Sequence, residues 1–207
     1  MRTNLNTMRL RYLALLPGLV LGVVSLAQST GLGIKGGVLM STVHALNIRT
    51  SPIPGATVGL YLPWGIGPRM ELQPEAMLTS LGAVYNEPDG DRNTVRSLYV
   101  QIPIALKCYL SNGFNLSGGY QFGKILLAQQ QGTEGNASVT DQYNALDMGF
   151  VFGAGMDYES GLDLSARVYG AMTPSLRDDD AIFPKNRSLQ VTVGYRFVQF
   201  GHRKNFR

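Results

Sequence analysis

Few side chains in this sequence could support catalysis by a nucleophile and a base. The chain has two histidines and one cysteine among its 207 residues. His44 lies close to Ser41 and Thr42, but no acid on a predicted strand completes a set with them. Because a nucleophile needs a base within hydrogen-bond reach, we predict that the protein is not an enzyme.

Metal and cofactor sites have equally little support. Asp178, Asp179 and Asp180 could hold Ca²⁺ together with backbone carbonyls, but the glycine that turns a calcium loop is absent. The single cysteine excludes a disulfide framework and a Cys-based zinc cluster. No glycine-rich phosphate loop stands between a strand and a helix. The sequence therefore predicts no metal and no cofactor.

Charged side chains instead recur at one parity within apolar stretches. Period two places successive side chains on opposite faces of a β-strand, so these charges are expected to share one face. The candidate site residues are Arg69, Glu71, Glu75, Lys107, Asp163, Arg167 and Arg196, and Lys35, Asp147 and Asp157 have the same parity. Acids and bases nearly balance in this set. We predict a structural network of ion pairs, with a proton or ligand path as the alternative.

Eight segments of the chain carry this two-residue alternation of apolar and other side chains. They are residues 32–41, 55–64, 69–79, 98–109, 114–122, 147–157, 162–169 and 189–197. Most have about ten residues, which is the length that a tilted strand needs to cross a bilayer. Proline removes a ladder hydrogen bond, so we expect a local bulge near Pro74 and another near Pro103.

The connections between these segments alternate in length. Short turns are predicted at 65–67, 111–113 and 159–161, and longer polar loops at 42–53, 83–96, 129–144 and 173–187. Such alternation is typical of an outer-membrane barrel, with turns in the periplasm and long loops outside. We therefore predict an all-β fold, an eight-stranded antiparallel up-and-down transmembrane barrel.

The amino terminus predicts export. Arg2, Arg9 and Arg11 precede an apolar stretch at 12–26, and small residues follow at the spacing of a cleavage site after Ala27. We predict a signal peptide at 1–27, a barrel at 28–200 and a short basic tail at 201–207, with an N-terminal membrane anchor as the alternative. Cleavage removes three of the 18 basic residues and leaves 15 against 14 acids, so no nucleic-acid partner is expected.

Alternation alone does not say which face meets lipid. The apolar face would point inward in a soluble barrel and outward in a membrane barrel. The signal peptide, the loop lengths and a girdle of aromatic residues near the short turns favour the membrane barrel. The girdle consists of Trp64, Tyr109, Phe114 and Tyr158. A lumen enclosed by eight strands is just wide enough for its own side chains to fill it.

The mature chain also resembles a known family, the small PorT-like outer-membrane β-barrel proteins. The resemblance rests on Gly-Ile-Lys-Gly-Gly-Val at 33–38, Leu-Gln-Pro-Glu-Ala-Met-Leu-Thr-Ser-Leu-Gly at 72–82, Leu-Tyr-Val-Gln-Ile-Pro-Ile-Ala-Leu-Lys at 98–107, Gly-Tyr-Gln-Phe-Gly at 119–123 and Gly-Tyr-Arg-Phe at 194–197. It implies an eight-stranded barrel in the bacterial outer membrane and, for PorT itself, an accessory role in protein secretion.

Four functions are consistent with this reading of the sequence. We expect a non-enzymatic barrel that is structural or binds a partner, and the alternative is an accessory component of a secretion system. A narrow pore and a lipid-modifying enzyme are less well supported. The expected partners are outer-membrane lipid and a periplasmic or membrane protein, and the barrel itself is expected to be monomeric.

Overall fold

The computed structural model describes residues 29–45, 49–86, 92–132, 135–176 and 184–200. The predicted signal peptide, the acids at 178–180 and the tail at 201–207 lie outside the described residues. Within the described ranges, no helix is both long enough and apolar enough to cross a membrane.

Eight long strands form a closed ring. The strands are β1 (Ser29–His44), β2 (Arg49–Tyr61), β3 (Trp64–Gly65), β4 (Met70–Asn86), β5 (Arg92–Tyr109), β6 (Phe114–Gly132), β7 (Gly135–Ser138), β8 (Leu146–Asp157), β9 (Leu162–Ala171) and β10 (Lys185–Phe200), with a 3₁₀ turn at Thr140–Gln142. Apart from the short β3 and β7, each strand pairs with the next one antiparallel, and β10 pairs with β1. The predicted eight-stranded up-and-down barrel is confirmed.

The two faces of the wall have the predicted polarity. On β10, Leu189, Val191 and Val193 are each more than half exposed on the outer face, whereas Gln190 and Thr192 between them are buried in the lumen. A barrel in water would have the opposite arrangement. The ring leaves no free sheet edge, as a strand wall in hydrocarbon requires, because unpaired amides are costly there.

Connections at the two ends of the barrel differ in length less than predicted. The turn end carries the connections 62–69, 110–113 and 158–161, and the loop end carries 45–48, 87–91, 133–145 and 172–184. The predicted bounds of the first two loops are wrong, because the strands extend into them. Arg49 on β2 is still paired with Asn86 on β4, and Asn86 is paired with Arg92 on β5. These segments were predicted to be loops because they are polar. A strand that extends beyond the bilayer can, however, carry polar residues on both faces.

The predicted bulges at the two prolines are also wrong. Pairing of β5 with β6 runs without a break through Pro103. Between β4 and β5 the pairing lapses after Pro74 and resumes at Met77 in the same register. The gap faces Pro103, so the missing amide groups of both prolines weaken one stretch of the wall without an inserted residue. The register of β5 with β6 shifts elsewhere, between Leu98 and Tyr99.

Candidate functional site

The half of the lumen next to the turn end holds one connected network of ion pairs. Seven contacts join eight side chains in the order Glu71, Arg196, Asp157, Lys107, Asp163, Lys35, Glu75 and Arg167. These residues come from β1, β4, β5, β8, β9 and β10. Four cations face four carboxylates, so the formal charge of the network is zero.

Glu75 is the centre of the most deeply buried part of this network. The Arg167 guanidinium binds both of its oxygens, with Nη1 at 2.7 Å from Oε2 and Nη2 on Oε1. Lys35 Nζ lies 3.2 Å from Oε1, and the Glu75 and Lys35 side chains are completely inaccessible to solvent. Paired N–H groups from a planar guanidinium give a strong and directional contact, so Glu75 holds β9 against β4 across the lumen.

Two aspartates bind Lys107 on the opposite side of the network. Lys107 Nζ lies 2.7 Å from Asp163 Oδ2 and 3.1 Å from Asp157 Oδ1. Asp157 also accepts hydrogen bonds from the Tyr109 hydroxyl at 2.6 Å and from Asn115 Nδ2 at 3.1 Å. Asp157 therefore has several donors, as a charge needs when it leaves water, whereas Oδ1 of Asp163 has no hydrogen-bond partner among the described residues.

Arg196 completes the network at the mouth of the turn end. Its Nη2 atom lies 3.2 Å from Glu71 Oε2 and 3.6 Å from Asp157 Oδ2. A shallow cavity opens beside it, lined in part by Tyr61, Tyr158 and Arg196. At this mouth the network therefore lies next to space outside the lumen.

Two inward glycines, Gly33 and Gly153, make room for long side chains of the lumen. A Cβ atom at Gly153 would lie 2.9 Å from Cγ of Arg167. At Gly33 it would overlap the ring of Tyr61, which is fully buried and carries Lys35 Nζ 4.8 Å from its centroid. At Gly37, Gly59, Gly119 and Gly149, by contrast, a Cβ atom would first meet the backbone of a neighbouring strand.

Apolar side chains close the lumen near the loop end. The cluster comprises Leu39, Leu81, Val95, Tyr99, Ile125, Ala128, Val139 and Tyr143, with Tyr85 and Leu176 packed against it. Val139, Tyr143 and Leu176 belong to the two longest connections, and Asn144 Nδ2 in one donates to the carbonyls of Pro174 and Leu176 in the other at 2.9 and 3.0 Å. The sequence analysis missed this cap, although Leu39 breaks the parity of its strand.

Asp147 lies apart from the ion-pair network, although its parity is the same. Its carboxylate accepts hydrogen bonds from Asn186 Nδ2 at 2.9 Å and from the Thr173 hydroxyl at 3.3 Å. It makes no ion pair with any side chain that the structure describes. Asn186 also donates to the Tyr99 hydroxyl at 3.4 Å, so Asp147 joins the base of the apolar cap.

Two sequence assignments at the turn end are corrected. Arg69 was predicted to join the ion pairs, but β4 begins at Met70, and Arg69 lies exposed in the turn without an ion pair to any described side chain. Tyr109 was assigned to the aromatic girdle, yet its side chain is buried in the lumen on Asp157. The other six candidate residues all lie within the network.

Comparison with solved structures finds two similar chains, of which the first shows the same fold. Neisserial surface protein A is similar over 82% of this chain and 99% of its own, with 9% identity and a TM-score of 0.54. The attachment invasion locus protein Ail of Yersinia pestis matches 81% of this chain and 99% of its own, with 15% identity and a TM-score of 0.47. No curated protein matches the chain.

A family model covers most of the sequence. Residues 26–177 match the outer membrane protein beta-barrel domain. This range includes seven of the eight long strands of the chain. This match agrees with the closed ring of strands and with the apolar outer face. The chain belongs to the outer membrane protein beta-barrel domain family, whose place is the bacterial outer membrane.

Proposed function

We propose that the protein is a non-enzymatic outer-membrane barrel that acts through surfaces outside a closed lumen. The observation that carries this proposal is that buried side chains cross the lumen at two levels of the barrel. Ion pairs between Glu75, Arg167 and Lys35 cross it near the turn end, and the apolar cap packs across it near the loop end. A ligand or partner would then meet the loop end or the mouth of the turn end.

The polar groups of the lumen also support a structural role. The carboxylates of the network are held by ion pairs. The hydroxyl oxygens of Thr57 and Thr79 lie 2.8 Å apart, and those of Ser165 and Thr192 lie 2.7 Å apart. His44, the histidine within the described residues, is exposed at the end of β1. A general base needs a free lone pair beside a substrate site, and both oxygens of Glu75 are already bound by Arg167.

The first prediction is that the purified protein forms no steady open channel in a planar bilayer. Opening a path would require the ion pairs of Glu75 and the packing around Tyr99 to separate together. Single-channel recording tests this expectation. Steady conductance that Arg167→Ala raises and that Arg69→Ala in the exposed turn leaves unchanged would establish a pore and contradict the closed lumen.

A second candidate function is an accessory role in protein secretion. It is supported by the resemblance to PorT-like proteins. In this chain, the two proline motifs that carry the resemblance, at 72–82 and 98–107, lie on the neighbouring strands β4 and β5. Deletion of the gene is then expected to deplete a defined set of proteins from the culture medium. An unchanged secreted proteome, with the barrel absent from the membrane, would remove this candidate.

Export is part of both proposals. We propose that residues 1–27 are removed as a signal peptide and that the mature chain is inserted as a single barrel. N-terminal sequencing of the protein from purified outer membranes is expected to begin at Gln28. An N-terminus at Met1 would favour the alternative of a membrane anchor.

A further inference from the structure

Charged side chains on the outer face of the wall are all basic among the strand residues whose side chains the structure describes. The outer cationic girdle, as we name this set, consists of Arg49, Arg96, Lys124, Lys185 and Arg187, of which Lys185 is half-buried and the others are exposed. The acids of the described strands, Glu71, Glu75, Asp147, Asp157 and Asp163, are all buried in the lumen. Among these described strand residues, the girdle therefore has no carboxylate partner on its own face.

All five cations lie toward the loop end. Arg49 and Lys185 are the first residues of β2 and β10, which both start at that end, and Arg187 follows two residues later. Arg96 is four residues into β5, and Lys124 pairs with Leu146, the first residue of β8. Nearer the turn end the same outer face is apolar, as at Val191 and Val193.

The girdle extends around much of the barrel. Its residues lie on β2, β5, β6 and β10, and β10 is separated from β6 by β8 and β9 on one side and by four strands on the other. A folded protein partner contacts one side of a barrel. The lipids that surround the wall are the partner that can meet all of these strands at once.

We propose that the outer cationic girdle binds the phosphate groups of lipids in the outer leaflet. A basic residue on the lipid face costs most at the bilayer midplane and little at the interface, so these positions are tolerated where lipid head groups begin. Arginine donates paired N–H groups that fit phosphate oxygens, and lysine extends its ammonium group along the apolar surface toward the head groups. The girdle thus fixes the depth of the barrel and recruits phosphorylated lipid around it.

The test compares two lipids on the folded, detergent-solubilised barrel. Lipid A with two phosphates and the same lipid with its phosphates removed are titrated, and bound lipids per barrel are counted by native mass spectrometry. The variant carries Arg96→Gln, Lys124→Gln and Arg187→Gln. The matched control is Arg69→Gln, which removes an exposed cation at the turn end.

We expect the phosphorylated lipid to bind more tightly than the phosphate-free lipid. Each neutralised girdle residue should weaken binding about fivefold, which corresponds to about 1 kcal/mol per cation near an anionic surface. Arg69→Gln should leave binding unchanged, and Arg96→Lys should retain most of it. Heat-modifiable migration in detergent gels reports whether each variant is folded, and a single substitution at Lys124 replaces the triple variant if the latter does not fold.

Three outcomes would overturn the proposal. The first is equal binding of both lipids, and the second is wild-type binding by a folded girdle variant. The third is full competition by inorganic phosphate at equal concentration, which would assign the site to a free anion rather than a lipid surface. None of these results bears on the closed lumen, so the proposed function is tested separately.

Discussion

Replacement of Glu75 by glutamine is expected to destabilise the barrel by about 3–5 kcal/mol, because it leaves buried cations without their counter-charge. Arg167 loses a bidentate partner, and Lys35 loses the closer of its two carboxylates. The network then carries a net positive charge inside a wall that excludes water. Denaturant unfolding of the refolded protein, followed by the heat-modifiable gel shift, measures the loss of unfolding free energy.

The control for this prediction is Glu159→Gln, the same chemical change at an exposed position in the turn between β8 and β9. It should change stability by no more than about 0.5 kcal/mol, as is usual for surface substitutions. The double variant Glu75→Leu with Arg167→Met should recover much of the loss, because well-packed apolar groups can replace a buried pair. Equal stability of Glu75→Gln and Glu159→Gln would show that the network does not support the barrel.

The contact between Glu75 and Arg167 also marks the limit of prediction from this sequence. Parity placed both side chains in the lumen, because alternation is a local property of each strand. Their pairing joins residues 92 positions apart on β4 and β9, which are not neighbours in the ring. The choice of which charges meet across the lumen depends on the register of every strand between them. The pattern within a single strand does not predict these registers.

The errors in the prediction have local causes. Parity was extended one residue beyond the start of β4, which placed Arg69 in the lumen instead of the turn. The loop bounds failed where strands continue past the bilayer, because polar residues such as Thr50 and Thr94 no longer have to alternate with apolar ones there. The apolar cap depends on Tyr143 and Leu176 meeting across two connections, a tertiary contact that no strand pattern predicts.

Substitution of Ile104 by arginine should cost about 2–4 kcal/mol, the price of a basic side chain near the middle of the lipid face of a barrel. Ile104 lies on the outward face of β5, 39% exposed, between the inward Pro103 and Ala105. It also pairs with Pro74 beside the gap in the β4–β5 ladder. Fewer backbone hydrogen bonds stabilise the wall at this point. Unfolding from lipid vesicles measures this cost directly.

Thr192→Ser tests the opposite face and should be nearly silent. Thr192 is buried in the lumen, and its hydroxyl lies 2.7 Å from that of Ser165, a contact that serine can also make. The loss is confined to one methyl group. If Ile104→Arg were tolerated as well as Thr192→Ser, the apolar face could not be in contact with lipid. Lys124, by contrast, is a natural basic residue on the same outer face. The difference in stability between a basic residue at position 104 and one at position 124 indicates how far the head-group region extends along the wall.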